Sequence, residues 1–283
     1  MRTNPQASSP GGHPGGARAG LVPCAGVARL VVPLVLLAAA CGGGDDGGGS
    51  TEARIAGYLQ PTPFDRLVFE VDHVADRLPR SQGEDLVVAG VTAIVDKPGG
   101  VAIVHDDVLE PRGGAWTYAA LQELARATYD GQPDAATVHV LIVDGRYADN
   151  PNVLGLAWDH RHIALFGDVI ESSCAGLEAI LRPGQAERAC DRTWMAIWAH
   201  ELGHVVGLVD LGAPMQEPHR ELGGTHHCDD ESCVMWRTHD GSDLLEHVRG
   251  RIDLTEVDLG FDDACLADLA AVREAASTAD AGL

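Results

Sequence analysis

In the segment WAHELGHVVGLVDLGAPM, residues 198–215, His200, Glu201 and His204 stand in the spacing H-E-x-x-H. On a helix, positions four apart share a face, so both imidazoles can aim at one metal ion. Glu201 lies about 100° further round, where it can reach a water at that metal without ligating the metal itself. A bound Zn2+ would acidify the water and polarise a carbonyl, while the glutamate takes the proton and returns it to a leaving amine. These residue types in this order point to amide hydrolysis. Gly207, three residues after the second histidine, can end the helix and turn the chain back toward the metal.

The rest of the chain must supply the frame. The apolar residues Trp194, Ile197, Trp198, Leu202 and Val205 give the motif helix, from about Arg192 to Val206, a face to bury against a sheet. Upstream, RLVFEVDHV alternates as a strand with one side more polar, GEDLVVAGVTAIVD reads as a helix and GGVAIVHDD as a second strand. In TYAALQELARATY, helical spacing follows a capping Thr117, and ATVHVLIVDG has the apolar continuity of a central buried strand. VLGLAWD and HIALFGD read as a hairpin joined near residues 159–161. A helix follows over residues 168–181, and ACLADLAAVREAA forms one more near the end. Strands and helices alternating in this way predict an α/β or α+β domain.

The first 41 residues have the marks of an address. Arg2, Arg18 and Arg29 precede the apolar run LVVPLVLLAAA, which is too short to span a bilayer and ends at Cys41. LLAAAC resembles a bacterial lipobox, so Cys41 would carry lipid and anchor an exported protein to a membrane of the cell envelope. An ordinary secretory signal is the alternative. Residues 42–52 would form a glycine-rich tether, and 53–283 the folded domain with a smaller C-terminal subdomain from about residue 208. Beyond residue 40 the 20 basic residues fall to 17 against 42 acidic ones, a formal net charge of −25. Such a surface repels phosphate backbones, so nucleic acid is not expected as a partner. In an exported chain disulfides are the default state of cysteine, with Cys174–Cys190 and Cys228–Cys233 as candidate pairs and Cys265 left over.

Two motifs carry a family resemblance. HELGHVVGLVD and the later HCDDESCVM together resemble the metzincin clan of zinc peptidases, the first in its snapalysin variant and the second in archaemetzincins. The resemblance covers about residues 67–236 and extends to a poorly characterised group of secreted bacterial metzincin-like proteins. It implies an α+β, zincin-like fold: a mixed, mostly parallel sheet with an antiparallel edge strand, packed on the active-site helix. It also implies a third metal ligand. Asp210 has the clan's spacing, His227 matches the His-Cys pair but would need residues 211–226 to loop out and return, and His219 comes third. Met235 would be the methionine beneath the metal, and VLGLAWD the cleft rim to which an extended peptide adds as a strand. His73, His105, His160, His162 and His239 read as surface or supporting groups.

The expectation is a zinc-dependent endopeptidase with one catalytic ion, cutting peptide or protein substrates outside the cytoplasm, with Glu201 as general base. An alternative is a non-catalytic, zinc-stabilised surface lipoprotein that binds peptides or a partner protein. The glutamate weighs against it, because a structural zinc site needs no base and is closed by four protein ligands. Another amide, such as a cell-wall peptide, is a third reading.

Overall fold

The structure, a computed structural model, describes residues 50–223, 226–237, 248 and 258–280, without the side chains of 276–280. The segment expected to direct export, Cys41, most of the expected tether and His239 lie outside the described residues. The tether's expected last two residues are helical instead. Ser50 accepts a hydrogen bond from the Ala53 amide and so caps α1 (Thr51–Leu59), whose first turn carries Glu52. No helix among the described residues is long and apolar enough to cross a membrane.

Five strands form the main sheet, in the order β2 (Gly100–Leu109), β1 (Arg66–Val74), β4 (Ala136–Val143), β7 (His162–Phe166), β6 (Gly155–Trp158). The first four run parallel, and the edge strand β6 is antiparallel to β7. A small ribbon pairs β3 (Ala115–Trp116) with β5 (Arg146–Tyr147). The helices are α2 (Ser81–Ile94), α3 (Tyr118–Thr128), α4 (Gly167–Glu178), α5 (Pro183–Val205) and α6 (Asp263–Asp280). This is the mixed α+β architecture expected, mostly parallel with one antiparallel edge. Every residue of β4 is buried, as its apolar continuity predicts. The hairpin also forms where expected, with Asp159 and His160 in the left-handed region at its turn.

The motif helix begins at Pro183 rather than near Arg192. Proline suits a helix's first turn, where its missing N–H has no intrahelical partner to lose. The added turns are fastened by the Cys174–Cys190 disulfide to α4, across a sequence separation of 16. A loop of that size restricts the unfolded chain by about 3 kcal/mol. Further along, Trp198 is fully buried and meets Phe69 of β1 edge-on, ring centroids 5.6 Å apart. Such a pair contributes about 1 kcal/mol beyond area burial, and it fixes the rotation of α5 about its axis.

Strand β1 departs from its sequence pattern. Its polar residues Glu70 and Asp72 are fully buried, because the strand is central and covered on both faces. Hydrogen bonding compensates. Glu70 Oε1 accepts from the Asp130 amide at 2.9 Å, and Asp72 accepts from the Asp107 amide at 3.1 Å and from His139 Nε2 at 2.7 Å. His139 and His162 then share a hydrogen between Nδ1 atoms 3.0 Å apart, with Trp158 stacked on His162. Burial raises the Asp72 carboxyl, but hydrogen bonds from His139 and Thr128 bring it below its ordinary value. Burial, with neighbouring His139 and Arg161, presses His162 down to about 3.

A histidine that resists protonation only when folded makes the unfolded chain the stronger proton binder below pH 6.5. Stability is therefore fully present above pH 6.5 and falls as pH drops toward about 3. His162→Gln is expected to flatten that fall, read as the urea midpoint at pH 7 minus that at pH 5. An unchanged difference would remove His162 as its source.

Candidate metal centre and cleft

The second half of α5 lies against the sheet and presents His200, Glu201 and His204 to a cavity of about 610 Å³. Leu154, Gly155 and Leu156, on and just before the edge strand, line the opposite wall. The His200 and His204 rings stand 4.9 Å apart. Behind them Met235 is fully buried, its sulfur seated on Gly203, where an added Cβ would lie 2.2 Å from Sδ. The methionine therefore forms an apolar contact on the helix beside the two histidines.

After the helix the chain turns at Gly207, with φ of +79°. The Gly207 carbonyl accepts from the Ala213 amide at 2.9 Å, and an added Cβ there would press on Ile55 and the Ala213 nitrogen. Glycine is required by both conformation and space. Val209 and Asp210 follow in the left-handed region, an unfavourable conformation for a β-branched residue. The consequence is that the Asp210 carboxylate faces outward. Its side chain is 60% exposed and pairs with Arg220 Nη1 at 2.7 Å.

His227 stands beside the two helix histidines instead. Its ring is 5.2 Å from that of His200 and 5.1 Å from that of His204, and the three residues offer ligand atoms all within 4.8 Å of one another. The described residues 226 and 227 lie back against the helix end. His226 Nδ1 donates to the Val209 carbonyl at 3.1 Å, the Glu221 amide bonds the His227 carbonyl at 2.9 Å, and Cys228 N donates to Met235 O at 2.9 Å. The expected ligand order, Asp210 before His227, is thus reversed in geometry, because the backbone at 209–210 points that carboxylate at Arg220. His219, third in order, lies in a different cluster.

The donor set suits zinc, which takes three protein ligands and one open position in catalytic sites. His200 Nδ1 meets the Val234 carbonyl at 2.7 Å. A carbonyl only accepts, so Nδ1 carries the hydrogen and the lone pair sits on Nε2. Burial, with the neighbouring imidazoles, holds His204 well below its ordinary value and His227 down to about 4. Both rings are therefore neutral at pH 7 and able to donate a lone pair. His204 Nδ1 is buried with no hydrogen-bond partner among the described residues, an unfavourable placement that coordination by the ring would offset. Glu201 is buried beside this group, and burial pushes its carboxyl up to about 8. A nearby cation would draw it back toward the ionised form.

A second cluster lies on the far side of the Met235 segment. Cys228, Cys233 and Cys265 are buried and none is in a disulfide, so the expected Cys228–Cys233 bridge is not formed. The sulfurs instead gather round His219. His219 Nδ1 is 3.5 Å from Cys228 Sγ and 3.8 Å from Cys265 Sγ, while Cys233 and Cys265 approach to 3.7 Å. His219 Nε2 is held by the fully buried Asp268 carboxylate at 2.9 Å. Asp262 lies 3.2 Å from Cys228 Sγ. The amides of Met235 and Asp262 both point at Cys233 Sγ, each at 3.4 Å. Sequence reading left Cys265 unassigned and passed over Asp262 and Asp268. The signal was an odd thiol and an extra histidine on either side of one motif.

No protein-family model matches the chain, and no curated protein does. Among solved structures, the chain is similar to the 1.5 Å crystal structure of an archaemetzincin from Methanopyrus kandleri. The two share 18% sequence identity, with a TM-score of 0.47 over 76% of this chain and 98% of that one.

The geometry separates the two candidate third ligands experimentally. His227→Ala is expected to weaken zinc binding by more than about 100-fold in competition with a chelator, beyond the usual cost of losing a supporting partner. Asp210→Ala should leave it within about threefold. The opposite order would restore Asp210 as the ligand.

Proposed function

We propose that this protein is a zinc-dependent endopeptidase that acts outside the cytoplasm. One observation carries the reading: three imidazoles and one buried carboxyl meet in a cleft bordered by a sheet edge. His200, His204 and His227 would hold the ion, which when bound supplies Lewis acidity to a substrate carbonyl and acidifies a water. Glu201 accepts the proton of the attacking water and delivers it to the departing amine nitrogen. Its burial beside the histidines keeps it in reach of that proton and raises its affinity for it. Substrate is positioned by β6, whose outer side has no neighbour in the sheet, so an extended peptide can hydrogen-bond along it.

A peptide-binding protein without turnover fits less well. It has no use for a base buried beside an incomplete ligand set. Export and a lipid anchor at Cys41 belong to the same proposal, and the Cys174–Cys190 disulfide is consistent with an oxidising compartment.

That compartment makes the second cluster informative, because three adjacent thiols left unbridged there need protection from oxidation. We read the cluster as a structural metal centre whose donors are His219, Cys228, Cys265 and Asp262, with Cys233 packed beside them, distinct from the catalytic one. Asp268 orients the imidazole and backbone amides support the Cys233 sulfur, the arrangement that steadies thiolate ligands. On this reading the chain would hold two ions, where the sequence led us to expect one.

Purified domain should digest an unstructured protein, and chelator should abolish the digestion. Glu201→Gln should remove activity by at least about 100-fold, as for loss of a general base, with both ions retained. Cleavage that survives this substitution would sink the mechanism. For the second centre, elemental analysis should find two zinc ions in the native chain and one in Cys265→Ser. One ion in the native chain would refute it.

A further inference from the structure

Gly155 is the first residue of the edge strand and pairs with Leu165 of β7. Its backbone is not in the left-handed region that reserves a position for glycine, so the strand itself would accept any side chain. Glycine in a strand is even a modest liability, since it has no side chain to pack. Space is what distinguishes the site. A Cβ built at residue 155 would lie 2.6 Å from Glu201 Oε1, 2.7 Å from its Cγ and 2.9 Å from its carboxyl carbon. Three atoms of the same side chain occupy the volume where a methyl group would sit.

We propose that Gly155 is the positioning residue for the general base, leaving the gap in the cleft wall that seats the Glu201 carboxyl. This deepens the peptidase reading and rests on it for the word base, though the steric statement does not. The obstruction is the movable end of a side chain rather than backbone, so a larger residue at 155 would leave the fold standing and displace the carboxyl. The edge strand thereby has two separate tasks: its outer edge takes substrate and its glycine seats Glu201. Proton transfer requires heavy atoms within about 3 Å of each other, so a displacement near 1 Å is costly for rate and cheap for folding.

The test uses the zinc-loaded protein, with Gly155→Ala made alone and in the Glu201→Gln background. Gly155→Ala is expected to lower kcat by about 100-fold, the cost of a misplacement near 1 Å, with KM, zinc content and thermal midpoint unchanged. In the Glu201→Gln background the same change should alter the residual rate less than about twofold, because residues that act through one another are not additive. In Gly155→Ala, Glu201→Asp should restore part of the rate by withdrawing the carboxyl one methylene. A readout independent of turnover is the 13C resonance of the Glu201 carboxyl in metal-free protein, which Gly155→Ala should shift. An unshifted resonance overturns the proposal whether or not the chain is a peptidase. So does an equal loss of rate with and without Glu201. A shifted resonance in a wild-type chain that cleaves nothing supports the seating of Glu201 and defeats only the enzymatic reading.

Discussion

The hydrogen bond from His200 Nδ1 to the Val234 carbonyl is the contact on which the site depends. Under the proposed function, two donors would come from a helix packed on the sheet, and the third from a segment that returns to that helix more than twenty residues later. Helix and segment meet at this bond, which selects the tautomer of His200 and fixes the height of the segment above α5. Met235, one residue beyond Val234, fills the space over Gly203 and leaves no room for the segment to slide along the helix. His227 reaches the same level through the pairing of Cys228 with Met235. The third donor is thus positioned by the residues around it rather than by its own side chain.

What holds the segment is the sulfur cluster. The stretch from 226 to 237 has little regular structure, and it is tied by scattered backbone bonds and by the buried Val234 and Met235 as well as by the cysteines. Cys228 and Cys233 bracket it, Cys265 adds the start of α6, and His219 adds the middle of the insertion. Pieces distant in sequence are gathered at one point of the main core. The two clusters share neighbouring residues, His227 beside Cys228, so order at the second is transmitted through a single peptide unit to the first.

The sheet and the motif helix were legible because their signals are local. β4 is apolar throughout and central, and α5 carries large apolar residues on one face. The hidden polarity of β1 was not legible, since alternation in sequence says which residues differ in type and not whether both faces are covered. The third donor was undecidable for a related reason. Asp210 stands at the right count of residues, but its direction depends on the left-handed conformations of Val209 and Asp210, and those follow from how residues 211–226 close against the helix end. The cysteines failed by the same logic. Cys228 and Cys233 are near in sequence, yet Cys228 gathers with His219, Asp262 and Cys265 in a group of four that short-range spacing does not reveal.

The carboxyl of Glu201 shows how the frame and the chemistry constrain each other. A carboxyl buried with no charge partner is held protonated by its surroundings and is then no base at neutral pH. Neutral imidazoles alone do not change this, because they offer no charge. Under the proposed function, a dication among them would lower the proton affinity of Glu201 and of a water beside it. Base strength would thereby be coupled to metal occupancy: burial raises the proton affinity of the glutamate, and the ion would supply both the electrophile and the charge that opposes that burial. The glycine facing the carboxyl completes this coupling, since the field at Glu201 depends on its distance from the histidine cradle, and that distance is set by the one gap in the cleft wall that accepts it.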